Sequence, residues 1–291
     1  MYHKIETCPL CTNTISKPFY LVKDHAISKE SFSIVKCSNC SFVYTNPRPT
    51  RQDTPRYYES ENYVSHTPRS RNFTDKIYYL ARYFMLRRKL NWIHKLLGSR
   101  GRVLDYGCGT GSFVSLLQKR KWDAWGVEPN DQARSIANDN GTVFVFESLE
   151  ELPWDQCEVI TLWHVLEHVP DLKHTMNELL YRLTKNGLLF IAVPNYVSYD
   201  AQYYKEYWAG FDVPRHLSHF TPESMKLLVK KHKLHLLKII PLKFDAFYIS
   251  LLSEKYRNGS TINAFLQAIH SNHLAKKNHL NYSSLVYVIR K

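Results

Sequence analysis

The sequence of 291 residues predicts a doubly wound α/β fold with a small extra module at its N-terminus. Three observations carry this. From about residue 99 onward, short apolar runs alternate with helix-patterned stretches at the spacing of βαβ units, which means a parallel sheet. The first of these runs passes into a glycine-rich turn that opens a helix, Val103-Leu104-Asp105-Tyr106-Gly107-Cys108-Gly109-Thr110-Gly111-Ser112. Residues 1–46 lack the alternation and instead hold two CxxC pairs between short β-like runs.

Composition narrows the class. A hydrophobic content of 44% is ample for a buried core, and no segment is of low complexity. The start, MYHKIETCPLC, lacks the apolar run of a signal peptide. The longest apolar stretch, Leu188–Val193, falls far short of the roughly 20 residues that span a bilayer. The expectation is a soluble cytoplasmic protein. The formal charge of +13 is uneven: Arg69 to Arg102 holds ten Lys or Arg residues and one acid, Asp75. Such a stretch attracts nucleic acid, a phosphorylated substrate or an anionic lipid surface to which the chain associates peripherally. A solvated helix face is the plain alternative.

Taken in order, residues 1–46 give β-like runs FYLVKD, SFSIVKC and SFVYT. Residues 47–98 form a linker and basic helical segment. Pro47, Pro49 and Pro55 end regular structure at its start. Helix is expected over 70–98, with Ile77, Leu80, Ala81, Phe84 and Trp92 apolar and Gly98 as C-cap. Residues 99–291 then read as strand RVLDYGCG, helix SFVSLLQKR, strand DAWGVEP, helix DQARSIANDN, and strands TVFVFES and CEVITLWH. Helix DLKHTMNELLYRL and strand NGLLFIAVPN follow. LHLLKIIPL and SSLVYVIRK are two last strands flanking a helical stretch at 245–272.

Cys8-x2-Cys11 and Cys37-x2-Cys40 each can place two thiolates on one metal, and together they complete a tetrahedral zinc site. Four thiolates leave no open position, so the Zn2+ is expected to be structural, stabilising a zinc-ribbon-like module too small to fold alone. The glycine that often follows such a knuckle is replaced by Thr12 and Ser41.

The glycine turn lies at the carboxyl end of its strand, where open α/β sheets bind ligands. Glycine permits close approach of a ligand to the backbone. The spacing is GxGxG followed by Ser112, rather than the GxGxxG of nicotinamide-binding folds. Asp105, two residues before Gly107, could hold a cationic amino group. Glu128, 21 residues after Gly107, is placed to accept hydrogen bonds from ribose hydroxyls. Asp105 and the glycine spacing favour S-adenosyl-L-methionine.

The run DYGCGTG, then GVEPN, then ITLWHVLEHVPD, then GLLFIAVPN resembles the class I S-adenosylmethionine-dependent methyltransferases. With its DVPRHLSHFTPESM segment, the chain is most similar to their bacterial methyltransferase-23-like branch, over about residues 100–291. The resemblance implies a Rossmann-like, seven-stranded, mostly parallel sheet whose antiparallel seventh strand is SSLVYVIRK. It implies that Asp105, Gly107, Gly109 and Gly111 line the methionine end of the cofactor and that Glu128 holds the ribose. Trp163 and His164 would pack near it, with the adenine contact at Glu147–Leu149, including Ser148.

Two features invite other chemistry. His164-Val165-Leu166-Glu167-His168 formally matches a zinc-peptidase HxxEH, but it follows a sheet strand and Pro170 interrupts the helix it would need. Cys108 and Cys157 stand outside the CxxC pairs and read as small buried hydrophobes.

The acceptor side is expected at an insertion over about 195–220, rich in Tyr199, Tyr203, Tyr204, Tyr207, Trp208 and Phe211. There Tyr204 and Trp208 would wall a pocket, Arg215 would bind an anionic group, and His216 or His219 would serve as general base, with His216 preferred. Thr221-Pro222-Glu223 marks a helix start. The function expected is methyl transfer, at oxygen, to a small-molecule, glycan or lipid-linked acceptor. An RNA methyltransferase using the basic segment and zinc module is the first alternative; a non-catalytic cofactor-binding protein is the second.

Overall fold

The computed structural model describes residues 1–58, 73–139, 144–277 and 281–291, with side chains of the first long helix described from Tyr83 onward. Arg69 and Arg71 of the basic stretch, the side chains of Ile77, Leu80 and Ala81, and the first two residues of TVFVFES lie outside the described residues. The chain divides into two compact units. One is built of Ser60–Trp163, Leu179–Phe190 and Lys291; the other of Met1–Glu59, His164–Glu178 and Ile191–Arg290.

Thirteen strands and eight α-helices make up the described residues. The strands are β1 (Tyr2–His3), β2 (Ser16–Lys23), β3 (Ser31–Cys37), β4 (Val43–Thr45), β5 (Arg48–Pro49), β6 (Arg102–Tyr106) and β7 (Asp123–Val127). They continue as β8 (Val145–Phe146), β9 (Cys157–Trp163), β10 (Leu183–Pro194), β11 (Ser218–His219), β12 (His235–Pro241) and β13 (Ser284–Arg290). The helices are α1 (Phe73–Leu97), α2 (Ser112–Lys119), α3 (Asp131–Asp139), α4 (Leu172–Arg182), α5 (Tyr199–Tyr204), α6 (Pro222–Lys231), α7 (Asp245–Tyr256) and α8 (Thr261–Lys277).

The main sheet has seven strands in the order β12-β13-β10-β9-β6-β7-β8. Strands β8, β7, β6 and β9 are parallel, with Asp105 in register between Gly126 on β7 and Thr161 on β9. Val103, Leu104, Val159, Ile160 and Leu162 are buried, as continuous apolar strands covered on both faces must be. The terminal pair β12 and β13 is antiparallel, the reversed strand expected of SSLVYVIRK. No helix among the described residues is long and apolar enough to cross a membrane.

The unit containing the N-terminus is organised differently. Its four-stranded sheet runs β11-β4-β3-β2, so residues 218–219 of the aromatic insertion extend the sheet of the cysteine module. Val22, Phe32, Ile34, Val43 and Tyr57 share a core with Tyr204, Trp208, Phe211 and Val213. Tyr57, from the segment expected as a linker, is thus packed in the same core as the insertion. Helix α6 starts where expected. Thr221 caps it reciprocally with Ser224, and Pro222 occupies the first turn, where its missing N–H costs nothing.

Candidate active site

In the unit that carries β6 and β7, the turn after β6 is shaped by Gly107 (φ 71°), Gly109 (φ 55°) and Gly111 (φ 68°). All three are in the left-handed region that disfavours a side chain. A Cβ built on Gly109 would meet nothing within 4 Å, so the turn presents bare backbone to open space. The bend is fixed from beneath: Gly107 and Cys108 donate to Val127 O at 2.7 and 3.1 Å. At Gly126 a Cβ would stand 2.5 Å from the Cys108 sulfur, so glycine there lets the turn lie against β7. Burial pushes the thiols of Cys108 and Cys157 up, Cys157 to about 12, which removes thiolate reactivity from both.

Two carboxylates flank this turn. Glu128, just past β7, accepts from Gly109 N–H and from Asn130 N–H, each at 2.9 Å. Asp105 is buried and accepts from the Thr161 hydroxyl at 2.6 Å. Burial raises its carboxyl from 3.8 to about 6, against the Thr161 hydrogen bond and the charge of Lys89. An ammonium group reaching Asp105 would favour its ionised form. Trp163 ends β9 packed edge-on against Phe113, with the Lys89 ammonium 4.2 Å over its ring. Its indole N–H is buried with no hydrogen-bond partner among the described residues. Ser148 is half-buried at the start of the turn Leu149–Glu151 and makes no capping bond there. Arg134 pairs with Glu147 beside it at 3.2 Å. The residues present thus fit a nucleoside carrying an amino-acid tail: bare backbone, one buried and one half-buried carboxylate, and an unpaired indole donor.

The other unit gathers histidines. His164 has a positive φ of 59°, and its imidazole lies between two carboxylates, Nδ1 on Glu167 at 3.2 Å and Nε2 on Asp245 at 3.0 Å. Burial opposes its charge, but these two carboxylates outweigh it and hold the imidazolium up to about 10. Its place within its own unit is that of a salt-bridged cation, set by neighbours the sequence did not reveal. Next along the chain, Glu167 and His168 form a short 3-10 turn with Leu166. Leu217 N–H donates to Glu167 O at 2.8 Å, which ties this turn to the His216 segment. His168 and His216 meet edge to face with ring centroids 4.6 Å apart. Burial, then repulsion from His216, depresses His168 to about 4.

The remaining predicted residues have internal partners, and this corrects the open pocket wall expected for them. Tyr204 is buried and donates to Glu254 at 3.1 Å; buried Trp208 donates to Asp200 at 2.8 Å. Arg215 is 3% exposed and its guanidinium is held by Asp24 at 2.9 Å and Asp212 at 2.7 Å, so it offers no open fork for a substrate anion. His219 is buried, with Nε2 3.1 Å from the Thr45 hydroxyl. That hydroxyl itself donates to His216 O at 2.8 Å. His216 differs: Nδ1–H donates to Gly210 O at 2.9 Å, which leaves the lone pair on Nε2.

Cys8, Cys11, Cys37 and Cys40 converge, with one sulfur from each within 4.8 Å of the others. Cys8 and Cys40 are 3.6 Å apart and Cys11 and Cys37 3.5 Å, close to the separation of about 3.8 Å expected for thiolates about 2.3 Å from one zinc. Amide groups of Asn13 and Asn39 point at the Cys37 and Cys11 sulfurs. Thr12 (φ 64°) and Ser41 (φ 60°) hold the left-handed conformation where a knuckle glycine usually sits.

This is the fold and cofactor-type site of the class I S-adenosylmethionine-dependent methyltransferases. A profile described as a methyltransferase domain matches residues 79–239, more than half of the chain, and the chain belongs to that family. Curated relatives include the ubiquinone biosynthesis O-methyltransferase of Pseudomonas fluorescens, 26% identical over 118 residues, covering 37% of this chain and 50% of the relative. The same enzyme of Bordetella avium is 29% identical over 118 residues, covering 37% and 49%. The chain spans about half the length of the curated relatives it matches. Among solved structures, magnesium protoporphyrin IX methyltransferase from Synechocystis PCC 6803 has a TM-score of 0.55 at 11% identity, covering 83% of this chain and 100% of that one. This likeness speaks for the fold.

Proposed function

We propose that the protein transfers a methyl group from S-adenosylmethionine to a hydroxyl oxygen of a small-molecule acceptor. The observation that carries this is the glycine turn whose Gly109 face is open, flanked by Asp105 and Glu128. Asp105 would hold the amino group of the cofactor, Glu128 its ribose, and the Trp163 indole would supply a further donor. The preference for oxygen rests on the O-methyltransferase names of the relatives.

The cofactor supplies an electrophilic methyl carbon on a sulfonium. In the transfer the acceptor oxygen forms a bond to that carbon as the carbon–sulfur bond breaks, and the hydroxyl proton leaves. Protein groups orient the acceptor and receive that proton. The group proposed for proton removal is the Glu167–His168–His216 cluster, where Nε2 of His216 offers a lone pair. The four cysteines are proposed to bind Zn2+ that stabilises the N-terminal sheet. An RNA acceptor has less support: Arg87, Arg88 and Lys89 of the basic helix lie over the rings of Tyr83, Trp92 and Trp163 at 4.9, 5.5 and 4.2 Å.

The test is calorimetry with S-adenosylhomocysteine, followed by labelled-methyl transfer to matched phenol and aniline acceptors. Binding of the cofactor product and transfer to the phenol are expected. Failure to bind it, with uptake of a nicotinamide dinucleotide instead, would overturn the reading.

A further inference from the structure

We propose that Glu167, His168 and His216 form a second metal site, for a single divalent first-row ion, separate from the four thiolates. One ligand atom from each residue lies within 4.8 Å of the other two. Ligands about 2.0–2.2 Å from a tetrahedral metal stand about 3.3–3.6 Å apart, so closure from within the 4.8 Å limit asks for side-chain movement of no more than about 1.5 Å.

The second observation is independent of this proximity. The Glu167 side chain is 1% exposed, and its two oxygens are treated unequally. Oε1 accepts from His164, whereas Oε2 is buried with no hydrogen-bond partner among the described residues. A buried carboxylate oxygen left unpaired is costly, and a cation is the partner that removes the cost. Asp245 holds the far side of His164, so the carboxylate is oriented by a fixed chain of groups.

The histidines are prepared in the same sense. Nδ1 of His168 lies 3.1 Å from Arg215 O and 3.2 Å from the Tyr58 hydroxyl, and since a carbonyl only accepts, its N–H donates to Arg215 O; Nδ1–H of His216 donates to Gly210 O at 2.9 Å. Metal-bound histidines characteristically give their second ring N–H to a carbonyl or carboxylate, which fixes the tautomer and the ring. The lone pairs are then on Nε2 of both rings. Asp212 stands 4.0 Å from His216 Nε2 but is engaged by Arg215, and completes the surroundings without being needed as a ligand.

Two imidazoles and one carboxylate suit Zn2+, Mn2+ or Fe2+ and leave coordination positions open. This deepens the proposed function and, for its use, rests on it. An acceptor hydroxyl bound at an open position would lose its proton to solvent by metal-lowered acidity, so that His216 acts as ligand instead of free base.

Titrating metal-stripped, full-length protein with Co2+ tests the site without any turnover. Two equivalents are expected, one with the intense thiolate-to-cobalt band of the cysteine site and one with only weak ligand-field absorption. Glu167→Gln and His216→Ala should each lose the second equivalent and keep the thiolate band, which also reports that the chain remains folded. A single equivalent in the wild type overturns the proposal, as does a second equivalent retained in both variants. If neither variant folds, the wild-type count and the second spectrum decide. Methyl transfer that withstands removal of the second ion would restore His216 as base while leaving the methyltransferase reading intact.

Discussion

Replacing Glu128 with alanine is expected to weaken S-adenosylhomocysteine binding by about 10- to 150-fold. The carboxylate sits one residue past β7, each oxygen held by one backbone N–H at 2.9 Å, from Gly109 of the glycine turn and from Asn130. It therefore braces the turn, and in the proposed function it also accepts from the ribose. A hydrogen bond to a charged group contributes about 1.5–3 kcal/mol, and about 1.4 kcal/mol corresponds to tenfold in affinity, which gives the stated range for one lost ligand contact. Glu128→Gln is not a silent control, because its NH2 would face the N–H of either Gly109 or Asn130, donor against donor. Its expected loss is at the lower end of the range. Isothermal titration measures both, and thermal unfolding without ligand checks that each variant is folded. Affinities within twofold of wild type in both folded variants would refute the placement of the ribose.

Further predictions concern single residues. Asp105 should make cofactor-product affinity rise between about pH 5 and 7, since the amino group binds the ionised carboxyl and the buried group titrates near 6; Thr161→Val should move that rise to higher pH. A flat profile for both proteins would exclude Asp105 as the amino-group partner. Asp24→Ala should cost about 3–5 kcal/mol, because it strips one of two carboxylates from buried Arg215 and unpairs the N–H groups of Ala26, Ile27 and Ser28. Burial opposes its charge, but Arg215 and the N–H and hydroxyl of Ser28 hold Asp24 down from 3.8 to about 2. Its contribution is therefore present above about pH 4 and lost as the pH falls towards 2; urea unfolding of variant and wild type should converge there, and a cost below about 1 kcal/mol at pH 7 would contradict the buried pair. Ser41→Gly should raise stability by about 1 kcal/mol by relieving a left-handed φ of 60°, and a lower melting temperature would show that the side chain outweighs the strain.

Much of the fold could be read from local pattern. SFSIVKC matches β3 residue for residue, and SFVSLLQKR, DAWGVEP and NGLLFIAVPN fall on α2, β7 and β10, because buried parallel strands and the helices between them carry long, self-consistent signals. β11, two residues long, has no period to detect; only its pairing with β4 makes it a strand. The glycine turn and its two acids lie within 24 residues of one another, so that they converge at one end of β6 and β7 could be read from the sequence. The Arg215–Asp24 pair, 191 residues apart, could not. Tyr204 and Trp208 looked like pocket walls because an aromatic cluster in an insertion has no visible partner. Their polar tips in fact meet the buried acids Glu254 and Asp200. The HVLEH run was noticeable, but its third partner, His216, is brought in by the Leu217–Glu167 backbone bond, which no spacing rule encodes.

The short pairing of Ser218–His219 with Val43–Tyr44 means the cysteine knuckles cannot be trimmed away as a dispensable appendage. Thr45, at the end of the same strand, grips both His216 and His219 through one hydroxyl, and Asp24 anchors Arg215 between them and the hairpin. A fragment starting at Arg102 would keep β6, Asp105 and the glycine turn yet lose the strand and the carboxylate that fix His216, His219 and Arg215.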